Sequence, residues 1–226
     1  MEKLTSSTKR DNNFLVDTAY QMIREAILSN EFKPGSVLSE NELSRQIGIS
    51  RTPTREALKR LEEQNLVDIV PRMGAFVTDL SVEKINEIYQ VREALECFAI
   101  EFVPKYGDPN ELAQFLKDVE KSASWIRSGE IDKINDLDIH LHEYIARSSH
   151  NQLLVKMVDQ LLDQIIRLRR MTPNFPGRLE EQRDEHLKMV TALKEGKVEE
   201  AREQLRNHLR RVSETAIQIR LKMWQR

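Results

Sequence analysis

The sequence predicts a mainly α-helical chain in two parts: three helices closed by a small β-hairpin, then an all-α antiparallel bundle. Apolar residues recur at helical spacing along most of the chain, strand-like runs are confined to residues 67–77, and only seven Gly and seven Pro interrupt 226 residues. Hydrophobic content of 39% beside charged content of 32% describes a charge-rich chain. No apolar run approaches the roughly 20 residues needed to span a bilayer, so no membrane partner is expected and a cytoplasmic location is. The polar stretch Met1 to Asn13 lacks the apolar core of a signal peptide and reads as a flexible arm. Cys97 is the single cysteine, which excludes an intramolecular disulfide and fits a reducing compartment. Beside Phe98 in an apolar helix, it reads as a buried structural thiol. The expected organisation is an arm over 1–13, a first domain over 14–78 and a helical domain over 79–226.

Val16, Ala19, Tyr20, Ile23 and Ile27 mark a first amphipathic helix, ended by the turn chemistry of Asn30 to Gly35. Ser39 with Glu42 three residues on makes a capping box, so a short helix should run to about Ile47. Gly48 is placed to take the left-handed conformation that closes it. Ser50 then caps a third helix, where Pro53 in the first turn sacrifices no intrahelical hydrogen bond. At about 100° per residue, Arg51, Thr52, Arg55, Glu56, Lys59 and Arg60 cover one half of that helix. Thr54, Ala57, Leu58 and Leu61 cover the other. Val67 to Val70 and Ala75 to Val77 flank Pro71-Arg72-Met73-Gly74, a two-stranded wing with a basic tip.

Helix, tight turn, basic helix and wing together form a winged helix-turn-helix, shaped to enter a DNA major groove. The net charge of -2 does not oppose this, because the DNA field is felt within about 8–10 Å. Across residues 45–60, Arg45, Arg51, Arg55, Lys59 and Arg60 face Glu56 alone. A compact basic helix on a near-neutral protein limits non-specific affinity while keeping a docking face. The competing reading is a solvated helix face with ordinary salt bridges; the caps, turn and wing all favour DNA.

From Ser81 onward the periodicity is helical over roughly 81–104, 109–128, 130–148, 151–171, 177–195 and 198–224. The breaks fall at Gly107-Asp108-Pro109, Gly129, Ser148 to Asn151, Thr172 to Gly177, and Gly196. Ser81 and Lys84 do not make a capping box, and the domain join is placed at Thr78 to Ser81.

The stretch Glu40 to Leu58, above all Ser50-Arg51-Thr52-Pro53-Thr54-Arg55-Glu56-Ala57-Leu58, resembles the GntR family of bacterial transcription regulators, as does Gly74-Ala75-Phe76-Val77. The helical remainder resembles the FadR-like branch with its FCD sensor domain. Arg92-Glu93-Ala94-Leu95-Glu96, the Asp138 to His142 pair, Ser149-His150-Asn151, His186 and His208 carry that likeness. Two departures stand out: Thr54 where the family usually has an aliphatic residue, and His150 where it usually has Gly. The resemblance implies that Ser50, Arg51, Thr52 and Arg55 meet DNA from the recognition helix. It places Asn41 and Arg45 against the backbone, with Arg72 to Gly74 reaching the adjacent minor groove. The residue types suit these roles, since Arg bonds guanine bidentately and hydroxyls suit phosphates at a helix N-terminus. One recognition helix reads only a few base pairs, so a homodimer on a palindromic double-stranded operator is expected, joined through the C-terminal bundle.

Asp138 and His142 are four residues apart and share a helix face, about 40° apart, while His140 points nearly the opposite way. His186 and His208 flank the break at Gly196. In an antiparallel hairpin they stand at matching heights, about 15–18 Å from the turn. Each lies in an apolar stripe, His186 with Met189, Val190 and Leu193, His208 with Ala201, Leu205 and Val212. Three histidines and a carboxylate converging in a bundle make a site for a divalent transition metal such as Zn, Ni, Mn or Fe. Taken singly, a histidine on an apolar helix face is more often a hydrogen-bonded core residue than a ligand; the matching heights, the i,i+4 pair and the family resemblance favour the metal. Arg92 lies on the face of Ile85, Ile88, Tyr89, Leu95 and Ala99, where a guanidinium needs a counter-charge. Its partner is either Glu96 at i+4 or, as the resemblance implies, the carboxylate of a small effector bridging Arg92 and the metal.

Three functions compete. The first is a ligand-responsive transcription factor, most often a repressor in this family. The second is a metalloregulator sensing the metal itself. The third is a metalloenzyme fused to a DNA module, which lacks a Glu, Ser or Cys at a telling spacing to act as base or nucleophile. A non-enzymatic regulator is the expectation.

Overall fold

The computed structural model describes residues 2–171 and 177–224, in two compact units, Met1–Leu80 and Ser81–Arg226.

In the first unit, helix α1 (Glu2–Leu28) packs on α3 (Arg51–Glu63) through buried Val16, Ala19, Tyr20, Ile23 and Ile27. The backbone is already helical through the segment read as an arm, because a nucleated helix propagates backwards at little cost. The side chains of 1–11 lie outside the described residues. The hydroxyl of Ser39 accepts from the Glu42 backbone at the start of α2 (Glu40–Ile47), 3.4 Å away. Glu42 turns to Arg45 at 3.9 Å, so the expected capping box is a one-sided cap. Gly48 closes α2 in the left-handed region, φ 69°. Ser50 holds the N-cap backbone conformation of α3, but its hydroxyl makes no cap hydrogen bond. Thr54 is fully buried in place of an aliphatic residue, and its hydroxyl donates to Ser50 O (3.0 Å) while accepting from Ser44 (3.2 Å). That pairing satisfies a polar group which burial would otherwise penalise.

The wing has three strands where two were expected. Strands β2 (Val67–Val70) and β3 (Gly74–Val77) form the hairpin, and β1 (Val37–Leu38) adds antiparallel to the free edge of β3. A two-residue strand is too short to show alternation, which is why the sequence hid it. Arg72 and Gly74, at φ 68° and 110°, turn the wing tip.

In the second unit all described elements are helical: α4 (Val82–Ala99), α5 (Val103–Tyr106), α6 (Pro109–Ser128), α7 (Ile131–Ser148), α8 (Gln152–Met171), α9 (Arg178–Lys194) and α10 (Val198–Trp224). Ser81 caps α4 by accepting from Lys84 N at 3.2 Å, without a capping box. The single helix expected over 81–104 is broken by a 3-10 turn at Ile100–Phe102. Pro104 explains the break: it has no N–H to donate and its ring would strike the carbonyl four residues back. The turn expected at Thr172 to Pro176 lies outside the described residues. Helix α10 packs on α9 and α4, α6 on α9 and α7, and α7 on α8 and α4. The interior between α4, α7, α9 and α10 holds the site.

Candidate metal centre and the exposed basic helix

Asp138 and His142 project from successive turns of α7, His186 from α9 and His208 from α10, all buried. One donor atom from each lies within 4.8 Å of the others. Asp138 Oδ1 is 3.2 Å from His186 Nε2, 3.7 Å from His208 Nε2 and 3.8 Å from His142 Nε2. Nε2 of His142 and His208 are 3.4 Å apart. His140 and His150 are exposed and take no part.

The opposite ring nitrogens are held by carboxylates. His142 Nδ1 meets Glu96 Oε2 at 2.5 Å, and Glu96 in turn accepts from Arg92 Nε at 2.7 Å. His208 Nδ1 meets Glu185 Oε2 at 2.8 Å, and Glu185 accepts a fork of bonds from Arg178 at 2.9 and 3.0 Å. Two arginine–glutamate–histidine chains thus aim two Nε2 atoms inward, the arrangement that fixes ring orientation at metal sites. Gln182 donates to Asp138 Oδ1 at 2.7 Å, and Arg169 lies 2.6 Å from Oδ2. Glu185, Gln182, Arg169 and Arg178 were missed at the level of sequence.

Electrostatics prepares the donors. Burial, reinforced by His186, pushes His208 down to about 3. Burial also lowers His186, which favours the uncharged ring that a metal requires. Burial works against the Asp138 carboxylate, but Arg169 and His142 outweigh it and hold it well below the usual range. Burial likewise opposes Glu96 and Glu185; their cationic partners outweigh it and hold each at about 2. For His142, Glu96 overcomes burial and raises the ring.

The donor set fits a divalent ion. His186 Nε2 makes no hydrogen bond, an orphaned buried acceptor at the middle of the group. Metal–nitrogen bonds of about 2.1 Å place tetrahedral neighbours about 3.4 Å apart, and the Asp138–His186 and His142–His208 separations are 3.2 and 3.4 Å. Four donors either close a tetrahedron or leave two positions of an octahedron open.

Beside this group lies a cavity of about 310 Å³ whose wall includes Tyr89, Arg169, Arg170, Arg178 and Gln182. Arg169 and Gln182 are the two residues that also hold Asp138. Arg92 is buried and pairs with Glu96, the i+4 partner, while its NH2 has no hydrogen bond. It does not line the cavity but stands behind Tyr89, 5.4 Å from guanidinium carbon to ring centre.

On α3 the angular division holds residue by residue: Arg51, Thr52, Arg55, Glu56, Lys59 and Arg60 are exposed, and Thr54, Ala57, Leu58 and Leu61 buried, joined by Pro53 from the first turn. Asn41, Arg45, Ser50, Arg72 and Gly74 are exposed too. The cations are not equally available. Arg60 pairs with Asp17 and lies 4.5 Å over the Tyr20 ring, fastening α3 to α1. Arg55 forks onto Glu40 at 2.7–3.0 Å.

Residues 15–77 match bacterial regulatory proteins of the gntR family, and residues 87–211 match the FCD domain. The chain is 30% identical over 190 residues to the HTH-type transcriptional regulator YdhC of Bacillus subtilis, covering 84% of this chain and 85% of that one. It is 26% identical over 201 residues to the HTH-type transcriptional repressor RspR of Escherichia coli, covering 89% and 88%. Among solved structures, the Zn2+-bound FCD domain of TM0439 shares the fold of the second unit, with a TM-score of 0.53, 24% identity, and 62% and 96% of the two chains covered. The relatives are named as regulators rather than enzymes, and no helix among the described residues is long and apolar enough to cross a membrane. The chain therefore belongs to the GntR family of bacterial transcription regulators, with a winged helix-turn-helix followed by an FCD domain.

Proposed function

We propose that the protein is a ligand-responsive repressor that binds a palindromic DNA site as a homodimer and is released by a small carboxylate held at a metal centre. The observation that carries this reading is the buried group of Asp138, His142, His186 and His208, with donors within 4.8 Å of one another and two rings pre-aimed by glutamates. The Zn2+ named in the TM0439 structure and the repressor name of RspR support the metal and the sign of regulation. Three neutral histidines and one aspartate leave a divalent cation with about one net positive charge, and Arg169 on Asp138 Oδ2 adds another, while Glu96 and Glu185 balance Arg92 and Arg178 in a poorly hydrated interior. An anion is the ligand such surroundings favour. Ser50, Arg51, Thr52 and Arg55 read the major groove, Asn41 and Arg45 meet phosphates, and Arg72 to Gly74 reach the minor groove. On DNA, Arg55 exchanges Glu40 for a base or phosphate. Were the metal itself the signal, its four donors would form a closed tetrahedron and the arginine-lined cavity would have no use. Anisotropy of labelled operator DNA tests this: release is expected on adding carboxylate to metal-loaded protein. Release by metal alone, or unchanged affinity with every acid tried, contradicts it.

A further inference from the structure

Resting on the assignment of α3 to the major groove, we infer that the N-terminal turns of α1, with Lys9 and Arg10, form a second DNA-contacting element that holds the phosphates on one lip of that groove. Helices α1 and α3 run parallel. Asn12 donates to Glu56 at 3.5 Å, Asp17 pairs with Arg60, and Tyr20 donates to Gln64 at 2.6 Å, partners 44, 43 and 44 positions apart. Both helices therefore point their N-termini the same way, and the N-terminal end of a recognition helix is the end that meets base edges. At this offset Arg51, the first residue of α3, is level with Ser7, yet α1 begins at Glu2. At a rise of about 1.5 Å per residue, α1 overshoots α3 by about 7–8 Å.

The flank matters as much as the direction. Packed helices lie about 8–10 Å apart, whereas the major groove is about 12 Å wide, so α3 fits within the groove and a helix on its flank stands over the lip. One flank of α3 belongs to α2, through Glu40 on Arg55 and Ser44 on Thr54. The other belongs to α1, through the three pairs above. With Asn41 and Arg45 of α2 on the phosphates of the first lip, the second is left to α1.

The sequence of α1 changes character where it reaches that level. The stripe that seats it on α3, Val16, Ala19, Tyr20, Ile23 and Ile27, is buried. Continued toward the N-terminus at the same spacing, it comes to Asn12, Lys9 and Thr5. Arg10 falls three residues before Asn13 and seven before Asp17, which line a channel between α1 and α3 with Glu56, Lys59 and Arg60. Between Glu2 and Asp11 the chain reads Lys-Leu-Thr-Ser-Ser-Thr-Lys-Arg, three cations and four hydroxyls without an acid. These are the residue types that bond phosphate oxygens and fix a protein on the duplex without reading its sequence.

Salt dependence tests this on any duplex, because phosphate contacts supply non-specific binding as well. Anisotropy of a labelled mixed-sequence duplex of about 30 base pairs, titrated with the full chain across about 20–200 mM salt, gives the slope of log K against log salt. Lys9→Gln with Arg10→Gln should make that slope shallower by about one unit per cation for each protomer bound. Gln has nearly the helix propensity of Lys and Arg, so α1 should persist. Should circular dichroism show otherwise, the two single variants decide, each expected to flatten the slope by about one unit for each protomer bound. Lys117→Gln with Lys156→Gln, an equal loss of charge at exposed positions of the helical unit, should leave the slope unchanged. A wild-type slope in the Lys9, Arg10 variant, or equal flattening by the control pair, overturns the inference and leaves α3 as the DNA reader. Wild-type protein that binds no duplex at low salt removes the DNA reading and the inference together.

Discussion

Arg51, Thr52 and Lys59 stand in solvent on α3, while Asp138, His142, His186 and His208 are among the most buried residues of the helical unit. One region keeps its functional groups out of its core; the other builds its core around them. The difference follows from the partner. A DNA duplex is met from outside and demands an accessible face, so α3 needs only its opposite half to fold. A metal and a small anion are held more strongly where water is excluded, so their ligands must be buried and paired. Function should therefore separate from stability in the first region and couple to it in the second.

Metal removal is the widest way to break that comparison. Ligand linkage gives about 4 kcal/mol of stabilisation when free metal exceeds its Kd a thousandfold. Calorimetric unfolding with and without chelator should show the helical unit losing this stability and the winged helix losing none. Equal losses in both transitions, or in neither, would break the distinction.

Asp138→Ala comes next. Removing it takes away the carboxylate that Arg169 and Gln182 both bond, and breaking a buried ion pair costs about 3–5 kcal/mol. Urea unfolding of the metal-free protein should register this, and a loss under 1 kcal/mol would show that the pair contributes little. Arg51→Ala is its counterpart in the exposed region. It should weaken operator binding by about 1–3 kcal/mol if Arg51 is bidentate to guanine, with stability unchanged within about 0.5 kcal/mol. Wild-type binding in matched salt would remove Arg51 from the interface. An effect of similar size sharpens the comparison at one remove from the metal. Glu185→Ala frees His208 Nδ1 and should lower metal affinity about 10- to 100-fold, read by competition with a chromophoric chelator.

The same contrast governs what the sequence disclosed. The faces of α3 could be assigned from spacing alone, because exposure along one helix is a local, periodic property; four of the five residues found buried there follow from it, and Pro53, read only as a first-turn residue, is the fifth. The convergence of the four candidate donors was also within reach, since Asp138 and His142 share one helix and His186 and His208 share one hairpin. Their supports were not. Glu96 meets His142 across 46 positions and Glu185 meets His208 across 23; both depend on how α4 and α9 pack, which no periodicity encodes. Arg169 and Arg178 carry no spacing signal of their own, and only the packed bundle turns them toward Asp138 and Glu185. Strand β1 escaped for a different reason, because Val37 and Leu38 become a strand only when β3 offers an edge.

The central claim is that the buried site controls the exposed one. Its most direct test is the affinity of zinc-loaded protein for a labelled operator duplex, measured by anisotropy with and without each of a series of small carboxylic acids, in the wild type and in a His186→Ala, His208→Ala variant. The account predicts a weakening of about 5- to 150-fold on adding at least one acid of the series to the wild type, none in the variant, and equal DNA affinity for the two proteins without ligand. The same acid-induced weakening in both proteins, or none in either, would contradict it.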